Sequence, residues 1–301
     1  MISSARCAVT VFAVSLLAAA GSAAADEGLF FQAIDTPPAD PASVTRSGEL
    51  VPRFTDVTAD ALMVPFFRID RGTPGGETTL IAIRNASDQA HDVTISYWVD
   101  HVFDPLAEPD LIQDFSLVSD EVVPINLRDL PELDGGGDND DIIKGWLMVE
   151  HEDGVGDPLS ADWFQVDTTQ NFATGGRMVD IDHTSTCSQW DFRYITGGGF
   201  DGGTELRVFI DTPLGLGTPS FSVSFFSEAG AFLGGVSAVT NRQVADINVE
   251  TELFPMLPAP PPDSGSMVIT FSGGTNGGIV LGTYSAEERY SVGLNGTCLV
   301  P

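Results

Sequence analysis

Basic residues are scarce in this sequence. Only 13 lysines and arginines stand against 43 aspartates and glutamates in 301 residues, and Lys144 is the single lysine. The formal net charge of −30 excludes a nucleic-acid-binding protein, which needs a basic surface to neutralise phosphates. It also argues against docking on anionic lipid, where clustered lysine and arginine supply the attraction. The acidity indicates either a chain kept soluble in salty surroundings or a surface that attracts cations.

Long apolar runs are also missing, apart from one near the start. Arg6 precedes an apolar run over 7–20, and the small residues 23–25 follow it. This pattern is typical of a secretory signal peptide over residues 1–25, with cleavage expected between Ala25 and Asp26. The run is shorter than the roughly 20 residues of a membrane-spanning helix. We therefore predict an exported chain, periplasmic or extracellular, without membrane insertion.

Cysteine is the third scarce residue. Of the three cysteines, Cys7 lies in the signal peptide, which leaves Cys187 and Cys298. A pair of cysteines in an oxidising compartment predicts a disulfide, and two unpaired buried thiols are the alternative. A bridge between such distant positions would close a long loop and contribute about 4–5 kcal/mol in the chain-entropy model.

Helical periodicity is absent over any stretch longer than two turns. Short runs rich in Val, Ile, Thr, Phe and Tyr alternate instead with clusters of Gly, Pro, Asp and Asn. That pattern predicts an all-β sandwich rather than alternating strands and helices. Residues 26–60 are rich in proline and aspartate, and we expect them to form a loosely held, irregular arm.

The sequence contains an internal duplication, seen as four blocks that recur in the same order. In the first copy the blocks are 67–68 with 80–85, then 93–98, 122–127 and 145–149; in the second they are 192–193 with 206–211, then 221–226, 244–249 and 265–269. Chance recurrence of strand-forming runs is the alternative. The duplication predicts a first repeat over 61–182 and a second over 183–301, each with about seven strands in two antiparallel sheets.

In strand pattern and glycine spacing the chain resembles exported bacterial proteins built of tandem immunoglobulin- or fibronectin-like β-sandwich modules. The resemblance covers both repeats and implies two immunoglobulin-like sandwiches with a structural, adhesive or ligand-binding role. The Cys, Trp and Cys spacing of antibody domains is missing, so the resemblance extends to architecture only.

Period-two alternation assigns faces in the second block. Val93, Ile95 and Tyr97 share the core face, so Trp98 points outward, and Phe226 takes the matching position in the second repeat. An exposed aromatic ring can stack on a sugar or anchor a partner. Trp98 and Phe226 are therefore candidate ligand-binding residues, and coverage by a neighbouring module or loop is the alternative.

One loop is strongly acidic and rich in glycine. Asp134, Asp138, Asp140 and Asp141 lie within eight residues, and their oxygens are the kind of ligand that Ca²⁺ prefers. An EF-hand does not fit, because Val149 stands where the bidentate glutamate belongs. The loop is a candidate calcium site, and a solvated turn is the alternative.

Recognisable catalytic motifs are missing. The four histidines form no H-x-H or H-E-x-x-H pair, and there is no G-x-S-x-G elbow. His151, among acidic neighbours, has the pattern of a solvated turn after a strand. No catalytic residue is predicted, although a Ser-His-Asp triad assembled from distant positions stays open.

These patterns predict a non-enzymatic exported protein, structural or adhesive, that acts through its sandwich surfaces. The alternative is a module that binds carbohydrate through Trp98 or Ca²⁺ through the acidic loop, and the third is a hydrolase with an unrecognised site. The expected partner is an unidentified protein or a polysaccharide. The sequence gives no oligomeric state.

Overall fold

A computed structural model gives the structure of the chain. It describes residues 29–34, 58–99, 108–133, 141–151, 156–169, 172–180, 187–196, 203–211, 219–240, 243–272, 277–286, 290–294 and 297–300. The signal peptide and most of the arm therefore lie outside the described residues.

The described chain is built almost entirely of β-strands, which confirms the all-β prediction. The strands are β1 (Leu29–Ile34), β2 (Ala61–Asp70), β3 (Thr78–Asn85), β4 (His91–Val99), β5 (Leu111–Leu117), β6 (Val122–Asn126), β7 (Ile142–His151), β8 (Leu159–Asp167), β9 (Phe172–Arg177), β10 (Val179–Asp180), β11 (Gln189–Ile195), β12 (Gly203–Asp211), β13 (Ser220–Ser227), β14 (Phe232–Thr240), β15 (Val244–Asn248), β16 (Ser264–Ser272), β17 (Gly277–Ala286), β18 (Tyr290–Leu294) and β19 (Thr297–Val300). Short helical turns span Leu127–Asp129, Val249–Leu253 and Phe254–Met256. None of these described turns has the length and hydropathy that a membrane-crossing helix requires.

The strands form four antiparallel sheets, two in each repeat. In the first repeat the outer sheet has the order β6-β3-β8-β9 and the inner sheet β10-β2-β7-β4-β5. In the second repeat the inner sheet has the order β15-β12-β17-β18 and the outer sheet β1-β14-β13-β16-β11-β19. Apart from β1, each strand of one repeat has a counterpart at the same place in the other.

Within the described residues each repeat has nine strands rather than the seven expected, and their pairing does not confirm the topology of immunoglobulin domains. Their second strand lies in one sheet and their seventh in the other. Here the seventh strand of each repeat, β8 or β17, pairs with the second, β3 or β12. The antiparallel sandwich architecture is therefore present, and the immunoglobulin topology is not confirmed.

The two sheets of each repeat enclose a separate hydrophobic core. Phe67, Ile95 and Leu147 lie in the first core, and Phe192 and Val223 lie in the second. Burying such side chains removes apolar surface from water and drives the sheets of each repeat together. Each repeat is thus a two-layer sandwich.

A glycine at one position of both repeats shows how closely the backbones match. A Cβ on Gly145 would lie 2.0 Å from the carbonyl oxygen of Trp98, and a Cβ on Gly265 would lie 2.3 Å from that of Phe226. No side chain fits at such distances, so the sixth strand needs glycine where it passes the third. The same local constraint occurs in both sandwiches.

The inner sheets of the two repeats pack against each other, and we call this contact the joint. Its apolar residues are Met63, Phe66 and Val179 from the first repeat and Phe209, Val244 and Ile279 from the second. Trp146 and Met148 pack at its margin. The joint explains why β2 and β12 are buried on both faces.

The arm contributes a strand that the sequence pattern did not predict. Residues 29–34 precede the first repeat, yet β1 pairs antiparallel with β14 of the second repeat. The outer sheet of the second repeat is therefore completed by chain from the other end of the molecule.

Candidate functional site

Four polar side chains form a connected chain at one end of the first sandwich. The Oγ of Ser87 lies 2.8 Å from Nε2 of His91, and Nδ1 of His91 lies 2.8 Å from Nε2 of His151. Nδ1 of His151 faces Oδ1 of Asp60 at 3.6 Å. The two imidazole rings meet edge to face, with centroids 4.4 Å apart. We call these residues the relay.

The strands hold the relay histidines in place. His91 begins β4 and His151 ends β7, and the pairing of Val93 with His151 brings the two rings together. The amide of His151 donates to the carbonyl oxygen of Asp60, just before β2, at 2.9 Å. The side chain of His151 is fully buried, whereas that of Asp60 is 30% exposed. His151 is therefore part of the folded body, and the prediction of a solvated turn at this residue is wrong.

A buried asparagine shapes the turn that presents Ser87. The side-chain amide of Asn85 donates to the carbonyl oxygens of Gln89, Leu117 and Val118, at 2.7, 3.1 and 3.2 Å. Its Oδ1 accepts the amide of Ser87 at 2.9 Å. The amide of Gln89 in turn donates to Oγ of Ser87 at 3.2 Å. The backbone thus fixes where the hydroxyl lies.

The one hydroxyl proton of Ser87 has two acceptors within reach, the carbonyl oxygen of Gln89 at 3.1 Å and Nε2 of His91 at 2.8 Å. The negative charge of Asp60 favours the second. The carboxylate of Asp60 favours a proton on the Nδ1 of His151 that faces it, which leaves Nε2 of that ring as an acceptor. His91 then donates from Nδ1 and presents its Nε2 lone pair to Ser87. This is the arrangement of a base next to a hydroxyl nucleophile, with a third group that orients the base.

A second cluster of charges lies in the joint. Arg68 bridges the repeats, with Nε 3.2 Å from Glu77 Oε2 and Nη1 3.3 Å from Asp246 Oδ2. Nη2 of Arg207 lies 3.1 Å from Oε2 of Glu205, and the arginine side chain is only 3% exposed. We call these five residues the charge cluster. Removing one partner of a buried ion pair is strongly destabilising, because it leaves the other charge uncompensated.

Burial raises the pKa of both glutamates of the cluster above the ordinary carboxyl value of 4.5, and the neighbouring Arg68 and Arg207 offset part of this rise. A carboxyl whose pKa is higher in the folded state binds more protons there than in the unfolded state. The contribution of Glu77 and Glu205 to stability therefore increases as the pH falls through the folded pKa towards the unfolded one. Above that window both groups disfavour the folded state.

The aromatic candidates do not form an open platform. Trp98 lies on the outward face of β4, half-buried, and its ring stacks on Trp146 with centroids 3.9 Å apart and planes at 5°. Trp146 meets Phe209 of the second repeat at 5.3 Å, so the stack belongs to the joint. Phe226 is only 6% exposed, because Phe232 of β14 packs against it at 5.6 Å. The expectation that Phe226 is exposed is therefore wrong.

The calcium candidates lie mostly outside the described residues. Asp134, Asp138 and Asp140 are not described, and Asp141 is an exposed residue just before β7. No group of three or more His, Cys, Asp and Glu residues suited to a metal ion occurs in the described part of the chain. The loop stays a prediction.

The cysteine candidates lie on neighbouring chain segments. Cys187 is buried two residues before β11, and Trp190 of that strand pairs with Cys298 of β19. The side chain of Cys298 lies outside the described residues, so the disulfide stays a prediction that the strand pairing favours.

No protein-family model, no curated protein and no solved structure matches this chain. What defines its class is therefore the architecture itself: four antiparallel sheets in two repeats of the same strand order, joined by their inner sheets.

Proposed function

We propose that this chain is a non-enzymatic exported protein with a structural or adhesive role, related in architecture to tandem immunoglobulin-like modules. The observation that supports the proposal is the joint. Apolar side chains and the charge cluster lie in the contact between the inner sheets, which favours a fixed rather than a flexible link between the two repeats. A stiff pair of modules suits the transmission of force or the display of surfaces.

The outer sheet of the first repeat offers an exposed surface. Val122 and Phe164 are 52% and 45% exposed, and both project from that sheet away from the core. In this proposal these two side chains take part in attachment to another surface. The carbohydrate alternative has less support, because Trp98 already stacks on Trp146.

Attachment can be measured with the purified protein coated on a surface under flow. We expect the coat to retain bacterial cells or polysaccharide beads above an albumin coat, and the V122S/F164S variant to reduce retention several-fold. The control is V239S, which changes an exposed valine on the outer sheet of the other repeat. Retention equal to that of albumin, or steady turnover of ester, peptide or glycoside substrates, would contradict the proposal.

The relay favours a second candidate function, a serine-dependent ester hydrolase. In this proposal Nε2 of His91 takes the proton of Ser87 Oγ while Oγ bonds to the ester carbonyl carbon. The carbon–oxygen bond to the alcohol then breaks, and the leaving oxygen takes the proton from His91. Water repeats the two steps on the acyl-serine, releasing the acid and restoring Ser87. His151 and Asp60 act as positioning residues that keep the proton on Nδ1 of His91.

A fluorophosphonate probe tests this second candidate, because it bonds covalently only to activated serines. We expect mass spectrometry to find the adduct on Ser87, no adduct in S87A, and labelling at least about 100-fold slower in H91Q. S119A is the matched control, since Ser119 Oγ donates to the carbonyl oxygen of Ser87 at 2.9 Å without joining the relay. Absence of an adduct on Ser87 would leave the relay as a structural support of the turn and overturn the hydrolase.

A further inference from the structure

The position of β1 raises the question of which molecule supplies it. β1 pairs with β14 over six residue pairs, from Leu29 with Thr240 to Ile34 with Gly235. The contact belongs to the second repeat, although its strand comes from the residues before the first.

Without β1, the strand β14 would be an edge strand with unpaired backbone N–H and C=O groups. Its sequence, FLGGVSAVT, has no charged residue and no proline, and Val236 and Ala238 are buried in the second core. Such an edge pairs readily with any free strand, and natural sheets blunt it with charge or cover it. The counterpart β5 in the first repeat carries Asp114 at an exposed position and has no further strand beside it among the described residues. The edge of β5 thus carries a charge, whereas the edge of β14 carries none and is covered by β1.

The connection is long enough for either arrangement. Residues 35–57 separate β1 from the first described residue before β2. A chain of that length reaches about 80 Å when fully extended. The six pairs with β14 are the same whether β1 comes from its own molecule or from a neighbour. Linkage within one chain gives an effective concentration of the order of millimolar, so high protein concentration favours exchange.

We propose that β1 of one molecule completes the outer sheet on β14 of a second copy of this chain. The contact is strand addition, in which main-chain hydrogen bonds supply affinity. Because β1 and β14 are different surfaces, each copy donates one strand and accepts one, and the copies join head to tail. The inference deepens the proposed structural role and rests on it for its biological meaning, but its test does not involve attachment.

Disulfide trapping distinguishes the two arrangements. Gln32 is paired with Ser237, and the side chain of Ser237 lies at the partly exposed face of the sheet. One full-length exported chain carries Q32C and a second carries S237C, and the two are mixed at high concentration and oxidised. We expect a mixed dimer on non-reducing gels that neither variant forms alone and that disappears on dilution before oxidation. A mixture of Q32C with T240C, which is three residues out of register, is the matched control.

The double variant Q32C/S237C completes the test. Strand exchange predicts a ladder of linked multimers whose share rises with concentration, and we expect thermal unfolding to show that both single variants remain folded. Complete linkage within single molecules, together with no mixed dimer at millimolar concentration, would overturn the proposal. Trapped multimers without retention on surfaces would support the exchange and contradict the adhesive role, so the two failures are distinguishable.

Discussion

Replacing Arg207 by methionine is expected to destabilise the protein by about 3–5 kcal/mol at pH near 8, because it removes the cation that pairs with Glu205 in the joint. Arg207 also lowers the pKa of Glu205, so its loss raises that pKa further. The ionised carboxylate is then costly at high pH, and protonation relieves the cost. We therefore expect the loss to shrink as the pH approaches about 5. Urea unfolding of both proteins across this range measures the difference.

The matched control for R207M is R84M. Arg84 contacts Asp120 at 2.8 Å, but the side chains are 53% and 71% exposed, so the expected loss is only about 0–1 kcal/mol. The second check is the double variant R207M/E205Q, which removes the stranded charge and should recover much of the stability. Equal losses in R207M and R84M, or a loss in R207M independent of pH, would contradict the structure of the charge cluster.

Replacing Phe66 by alanine is expected to cost about 3–5 kcal/mol and to loosen the joint. Phe66 is 1% exposed, and the guanidinium of Arg207 lies over its ring at 5.6 Å. The deletion therefore opens a cavity between the inner sheets and removes a cation–π contact. Because the two cores are otherwise separate, we expect calorimetry to resolve two unfolding transitions in F66A and one in the wild type.

Phe164 supplies the control for F66A, since it is a phenylalanine on the opposite side of the same repeat with 45% of its surface exposed. F164A should change stability by less than about 1 kcal/mol and leave a single transition. Two transitions already in the wild type would mean that the joint does not couple the repeats. A similar loss in both variants, or a single transition in F66A at a lower temperature, would mean that Phe66 is not needed for the coupling.

Much of the fold was predictable because period-two alternation carries so much information about sheets. The assignment of Val93, Ile95 and Tyr97 to the core face is confirmed, and all three are fully buried. The four matched blocks fall on strands at corresponding places in the two sheet orders. Alternation and glycine spacing are local properties, so they can be recognised in the sequence without knowledge of the tertiary structure.

One matched block is out of register by a residue. The sequence comparison pairs Leu80 with Leu206, but Ile81 faces the first core and Leu206 faces the second. A shift of one residue exchanges the two faces of a strand. The sequence pattern does not reveal this shift, because β12 has apolar residues on both faces where the joint covers it. Only the packing of one repeat on the other reveals which face is which.

The relay could not be predicted from motif spacing. His91 and His151 are 60 residues apart in sequence and meet only because β4 and β7 are neighbours in the inner sheet. Ser87 lies in a turn whose shape depends on the burial of Asn85. The available signal was positional: His91 begins one strand and His151 ends another. Neither histidine belongs to a short motif, so a search by spacing passes over both.

The sheets that meet in the joint are not counterparts of each other. The inner sheet of the first repeat corresponds to the outer sheet of the second, and the reverse holds for the other pair. No dyad therefore relates the repeats, and the operation that carries one onto the next has a direction. The molecule accordingly has a polarity, with a sheet of one kind at its leading surface and a sheet of the other kind at its trailing surface. A third repeat could therefore pack on the outer sheet of the second through the same kind of contact that joins the first two. A pair of repeats related by a dyad has no such free surface, because both of its matching sheets are already used.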